Sequence, residues 1–182
     1  MQLPDLPPAV PVTVDAKTTA LLVLDISDTS AKQPATLESV PAARRLIDAA
    51  RATGARVIFA LGRAAEQKVF PDLAPKDDDP VVRSSADKWF GTDLDKKMEG
   101  ITTAVVVGTA ANGAVLYTSF GACARGLTVV VAEDGISSRD ALATYIARWQ
   151  LLNQPGLANA ANIPLQPKAV TLSRSDLITF AK

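Results

Sequence analysis

Asp25 closes a run of five apolar residues, Ala20-Leu-Leu-Val-Leu24, in a chain of 182 residues that contains no histidine. A continuous apolar run of this length reads as a strand buried on both faces. An acid at its exit leaves the interior with its carboxylate partly stripped of water. Desolvation disfavours the charged form and raises a carboxyl pKa, which suits general acid–base work. The plain alternative is that Asp25 caps a turn, and position alone favours neither reading. A second feature, Gly108-Thr-Ala-Ala-Asn-Gly113, joins a strand to a helix. Backbone N–H groups and the helix dipole at such a start favour a carboxylate, a phosphate or a developing oxyanion. The outline is that of a phosphate loop, but Ala114-Val115 stands where Lys-Ser/Thr would be required. No G-x-G-x-x-G occurs either, so neither a nucleoside triphosphate nor a dinucleotide is indicated. The minimal role of this stretch is a tight turn capped by Asn112.

The elements that must carry these residues follow from periodicity. Arg56–Ala60, Ala104–Val107, Thr128–Val131 and Val170–Leu172 are further strands, the fourth-named region being followed by a terminal segment at Leu177–Thr179. The strand begun at Thr128 is expected to end near Asp134. Between the strands, Val40, Ala43, Ile47 and Ala50 recur at helical spacing before the stop signal Gly54. Thr92 to Met98 predicts a short helix, and Asn112 to Arg125 a longer one closed by Gly126. A third helix runs to about Leu152 with Ser137 and Ser138 as caps. Strands alternating with helices predict an α/β fold: an open, doubly wound, mainly parallel sheet with helices on both faces. Residues 1–182 read as one domain, with residues 1–17 as an N-terminal extension. In such sheets ligands sit beyond the carboxyl ends of the strands, where Asp25, the 108–113 turn and the long polar stretch of residues 64–91 all converge.

Composition removes many alternatives. Without histidine there is no Ser-His-Asp or Cys-His arrangement and no HExxH zinc site. A single cysteine, Cys123, excludes intrachain disulfides and Cys-rich zinc sites. No metal and no cofactor is expected. Lysine plus arginine balances aspartate plus glutamate at 19 each, so nothing draws the chain to nucleic acid or an anionic membrane. The proline-rich start lacks a signal-peptide pattern, and no apolar run is long enough to span a bilayer; the expected compartment is the cytoplasm. Lys76-Asp77-Asp78-Asp79 reads as a solvated turn, Arg139 and Arg148 as surface residues, and Tyr145 and Trp149 as core or subunit contacts.

Several segments together resemble the isochorismatase-like cysteine hydrolases. Leu21-Leu-Val-Leu-Asp25 is similar to the family's opening strand and catalytic aspartate. Trp89-Phe-Gly-Thr-Asp-Leu94 resembles the stretch after its catalytic lysine. Val105 to Thr118 resembles its nucleophile turn and helix, and Gly126 to Asp134 the next strand. The resemblance covers roughly residues 18–150. It implies an Asp-Lys-Cys set in which a thiolate attacks a carbonyl, the carboxylate relays protons and lysine supports both. It also implies oxyanion donors at the backbone N–H groups of Ala110 and Ala114, a non-proline cis peptide at Thr109–Ala110, and a homo-oligomer. Thr109, Ala110, Asn112, Gly113, Arg83 and Phe90 are the substrate-binding candidates.

Two positions depart from the family pattern. Ala114 occupies the place of the nucleophilic cysteine, and a methyl group cannot attack a carbonyl. The lysine position is open between Arg83, Ser84 and Lys88: the first two lie nearest the expected spacing, but arginine does not exchange protons at neutral pH, which favours Lys88 as the chemical substitute if the loop shifts. Cys123 offers no replacement thiol, since it lies nine residues past Ala114 on one helix, about 13 Å along the axis. The resemblance therefore implies a hydrolase of a small anionic or amide-type metabolite, with Asp25 as acid/base and Lys88 beside it. Its alternative is a catalytically inactive member that binds a small molecule or acts as a scaffold.

Overall fold

The computed structural model describes residues 3–182. Its centre is a six-stranded sheet in which every pairing is parallel, in the order β4-β3-β2-β5-β6-β7. Strand β1 is Val12–Asp15, β2 Thr19–Leu24, β3 Arg56–Leu61, β4 Val81–Arg83, β5 Thr103–Thr109, β6 Thr128–Ser137, β7 Val170–Ser173 and β8 Ile178–Ala181. The helices are α1 (Pro34–Thr53), α2 (Leu94–Lys97), α3 (Leu116–Ala124) and α4 (Ala141–Asn153).

Every residue of β2 is buried. Its side chains alternate between two cores, as the two-residue period of a strand requires. Leu22 and Leu24 join Val115, Ala122, Ala147 and Leu151 on the side of α3 and α4. Leu21 and Val23 join Val40, Ala43, Leu46 and Ile47 on the side of α1. The sheet is thus covered on both faces, in agreement with the doubly wound architecture expected from the apolar strands.

The chain winds outward from β2 through β3 to β4, then returns to place β5 on the other side of β2. Strand order therefore reverses between β2 and β5, and α1 and α3 leave toward opposite faces. This is the arrangement that opens a crevice at the carboxyl ends of the two central strands. Gly108 is what lets them approach. With φ +147° it has no side chain to accommodate, and a Cβ there would lie 2.2 Å from the Leu24 carbonyl oxygen.

Four local expectations need correction. Strand β6 does not stop near Asp134: it runs to Ser137, because Gly108 and Thr109 of β5 continue the pairing through Ile136 and Ser137 after a register shift. Ser137 and Ser138 are thereby unavailable as helix caps. Asp140 takes that role for α4, its carboxylate accepting from the Ala143 N–H at 2.8 Å. The helix expected from Asn112 begins instead as a π-helical turn, Ala111–Val115, before α3 takes over. The terminal segment is a true strand: β8 pairs in parallel with β1, and Val12, Val14, Ile178 and Phe180 extend the core under α1.

Two surface readings change as well. Asp79 is no free turn residue: Arg51 donates to it at 2.5 Å and the Lys76 N–H at 2.7 Å. Arg148 is half-buried and paired with Glu133.

Candidate functional site

The Asp25 backbone sits in the left-handed region at φ +53°, a conformation uncommon outside glycine but tolerated by aspartate and asparagine. Two hydrogen bonds hold it there. Its N–H donates to the Ala60 carbonyl at 2.7 Å, and its own carbonyl accepts from the Ser30 hydroxyl at 2.6 Å. The carboxylate is thereby turned from the end of β2 toward the segment after β4, with 24% of its side chain exposed.

Lys88 meets it there. Its side chain is only 1% exposed, and Nζ lies 2.9 Å from Oδ1 and 2.8 Å from Oδ2 of Asp25. The ammonium also donates to the carbonyls of Leu61 at 3.2 Å and Ser84 at 3.3 Å. Three protons thus find a carboxylate and two carbonyls, which is what permits a buried ammonium.

Arg83, Ser84 and Lys88 are held in three different ways. Arg83 lies on β4 and gives its guanidinium to the carbonyls of Gly62, Ala64 and Gln67, fastening the loop after β3. The Ser84 hydroxyl donates to the Phe90 carbonyl at 2.7 Å. Only Lys88 reaches Asp25.

What places Lys88 is a clamp on α3. The Thr118 hydroxyl accepts from the Lys88 N–H at 3.3 Å and donates to the Ala86 carbonyl at 3.4 Å. The indole N–H of Trp89 donates to the Thr118 carbonyl at 2.9 Å. Trp89 lies so close over Gly121 that a Cβ there would come within 2.5 Å of its ring, and the Arg125 guanidinium covers that ring at 4.4 Å. Sequence reasoning missed Thr118, although it stands one helical turn past Ala114 and so on the same face. Replacing Thr118 with valine, which keeps the shape but strands two buried backbone groups, is expected to cost about 1–3 kcal/mol. Chemical denaturation measures it. Serine at the same position should recover most of the loss, and equal losses for both variants would contradict the clamp.

Ala114 is buried in the π-helical turn, in the same core as Leu24, Trp89 and Val115. Leu24 pairs with Gly108, so the exit of β2 and the start of the turn are adjacent in the sheet. The Thr109–Ala110 peptide bond is cis, as the resemblance implies. The Thr109 hydroxyl is committed to the Ser137 carbonyl at 3.1 Å. Asn112 is not a cap: its side-chain oxygen accepts from the Ser138 hydroxyl at 3.0 Å, tying the turn to the end of β6. Ala110 and Gly113 are half-buried in the turn. Phe90 is 67% exposed, and its carbonyl is its link to the site. Cys123 is buried away from the crevice, and burial pushes its thiol up to about 12. Among the described residues, no group of three or more Cys, Asp or Glu side chains converges as metal ligands. No helix among them is long and apolar enough to cross a membrane.

Burial raises the Asp25 carboxyl above its ordinary value, against the smaller opposing effects of the hydrogen bond and charge of Lys88. The folded chain therefore holds this proton more tightly than the unfolded chain does. Its stabilising contribution is complete below the unfolded value of 3.8 and is lost as pH rises through the higher folded value. The stability of the wild type relative to an Asp25→Asn reference is thus expected to fall as pH rises from about 3 toward 7. Urea unfolding of both proteins across that range checks it, and a difference that grows with pH would contradict the sign.

Comparison with known proteins agrees with the fold. The structure of a cysteine hydrolase from Pseudomonas syringae pv. phaseolicola 1448A superposes with a TM-score of 0.75 at 21% identity, covering 93% of this chain and 94% of that one. N-carbamoylsarcosine amidase from Thermoplasma acidophilum gives 0.70 at 21% identity, over 87% and 97% of the two chains. The MAR1 ribonuclease from Caenorhabditis elegans gives 0.72 at 21% identity, over 91% and 81%. Sequence comparison with curated proteins finds no significant match. At these identities the structural neighbours establish a shared fold. The sequence model of the isochorismatase domain matches residues 19–158, well over half of the chain, and the chain belongs to that family.

Proposed function

We propose that this chain is a hydrolase of a small, anionic or amide-type metabolite that works without a covalent thiol intermediate. The observation that carries the reading is the Asp25–Lys88 pair: a carboxylate with a raised affinity for its proton, fixed on a buried ammonium at the mouth of the sheet. In this scheme Asp25 delivers a proton to the substrate as the scissile bond is polarised. Water adds to the activated centre, and the proton the water sheds returns to Asp25. Lys88 sets the orientation of the carboxylate and balances its charge when the proton has left. The amide-rich turn from Thr109 to Ala114 receives the negative charge or the carboxylate of the substrate.

Ala114 limits the chemistry. With a methyl group at that position, attack falls to water, so substrates that react by protonation and hydration, such as vinyl ethers, suit the site better than unactivated amides. The test is a turnover screen of vinyl ethers, small amides and small carboxylic acid derivatives, with Asp25→Asn run in parallel. Turnover that depends on Asp25 supports the reading. Saturable binding with no turnover of any class would overturn it, and would identify a family member that binds a small molecule without transforming it.

A further inference from the structure

A cavity lies at the β4 edge of the sheet, away from the central strands that carry Asp25 and the 109–114 turn. Val82 of β4 points into the core under α3. Val81 and Arg83, one residue to either side, therefore face the α1 side. On β3, Ile58 and Ala60 face α3 while Val57 and Phe59 face α1, and Leu61 continues the latter alternation. Between these residues and the loop after β3 is an open cavity of about 640 Å³. Its walls are apolar, formed by Leu61, Val69, Pro71 and Val81, and its cations are Arg83 and Lys68. The Asp25–Lys88 pair and Ala114 are not among its lining residues, since they belong to the mouth of the sheet and the α3 side.

Arg83 has an unusual set of partners. Nη1 donates to the Gly62 carbonyl at 3.4 Å and the Ala64 carbonyl at 2.8 Å, and Nη2 to the Gln67 carbonyl at 2.7 Å. Three of its five N–H groups thus serve neutral acceptors. Among the described residues no carboxylate pairs with Arg83 or with Lys68. Among the described residues Nε has no acceptor and Nη2 has one, so donors on both nitrogens are left to hold the two oxygens of a carboxylate in a bidentate fork. The apolar walls around Arg83 suit an anion that carries an apolar body better than inorganic phosphate, which has none.

We propose that this cavity is a binding site for a small monocarboxylate with an apolar body, its carboxylate on Arg83 and its ring or alkyl chain against Leu61, Val69 and Val81. The site is separate from the crevice at Asp25 and does not depend on the reaction assigned there. The two touch through Leu61, whose side chain lines the cavity while its carbonyl accepts from Lys88.

Benzoate and its neutral counterpart benzyl alcohol are suitable probes, titrated calorimetrically into the wild-type protein. Benzoate is expected to bind at least about tenfold more tightly, the least that a charge-assisted pair contributes. Removing Arg83 would also release the loop, so the informative variant is Val81→Glu. Val81 is exposed, and a carboxylate presented two residues before Arg83 on the same face would occupy the fork. Val81→Glu should weaken benzoate binding about tenfold or more with unchanged thermal unfolding, and Asp25→Asn should leave it intact. No preference for benzoate over the alcohol, or binding abolished by Asp25→Asn and indifferent to Val81→Glu, would overturn the proposal.

Discussion

Turnover of any substrate of this chain is expected to fall by about 10²–10⁴-fold when Asp25 becomes asparagine, the range that a positioned proton donor contributes. The substitution is close to minimal. Asparagine tolerates the left-handed backbone at φ +53° as aspartate does, so the turn from β2 has no new strain to absorb. Its side-chain oxygen still accepts from the Lys88 ammonium, 2.9 Å from Oδ1 in the native pair. What is lost is the proton that can be given and taken back. Steady-state kinetics with a substrate from the screen, beside thermal unfolding of both proteins, separates the two effects. A large drop in kcat with a folded variant supports proton transfer by Asp25. An unchanged kcat would remove Asp25 from the chemistry and leave the Lys88 pair as a structural feature.

Restoring sulfur is the complementary experiment. Ala114→Cys is expected to create a thiol of depressed pKa, because the new side chain stands in the turn that leads into α3, where the helix start opposes the burial that raises Cys123. Thiols at helix starts or beside cationic groups fall to about 3.5–7.5. At about pH 6.5 an ordinary thiol is only about 1% ionised, so the gain in thiolate is large. Lower intrinsic nucleophilicity takes back part of it, and alkylation about tenfold faster than at an unperturbed thiol is expected. The native protein supplies its own control, since Cys123 is buried with its thiol at about 12 and should not react. Intact mass after iodoacetamide treatment shows one added group on the variant and none on the wild type. A variant thiol no faster than a free one would mean that the turn does not activate a nucleophile. If it reacts, accumulation of an acyl-enzyme from an activated ester becomes the next measurement.

The parts of this arrangement that show in the sequence are those written by local pattern. Ala20 to Leu24, short, apolar throughout and ending at Asp25, reads as a strand buried on both sides, and that places the exit of Asp25. The Gly108–Gly113 stretch announces a strand-to-helix turn by its composition alone. Lys88 is different. It lies in an irregular segment where spacing points to Arg83 or Ser84, and its place is decided by tertiary bonds from Thr118 and by Trp89 seated over Gly121. No local rule contains that information. The start of α4 fails for another reason. Ser137, Ser138 and Asp140 are all competent caps, and what chooses among them is the pairing of β6 with β5 about three residues further than apolar pattern suggests. Strand β1 was within reach, since Val12 and Val14 alternate with exposed Thr13 and Asp15, but its partner β8 lies at the far end of the chain.

Gly108 sets a boundary on how this scaffold can be re-engineered. Because a methyl group there would collide with the Leu24 carbonyl, any substitution must wedge the two central strands apart at the point where both release the residues that face the crevice. The damage would be transmitted to Asp25 and to the 109–114 turn at once, even though Gly108 itself offers no functional group. A mutagenesis library aimed at new substrates should therefore hold this position constant and spend its diversity on the exposed stretch from Arg63 to Glu66 and on Ser85, where side chains already face water.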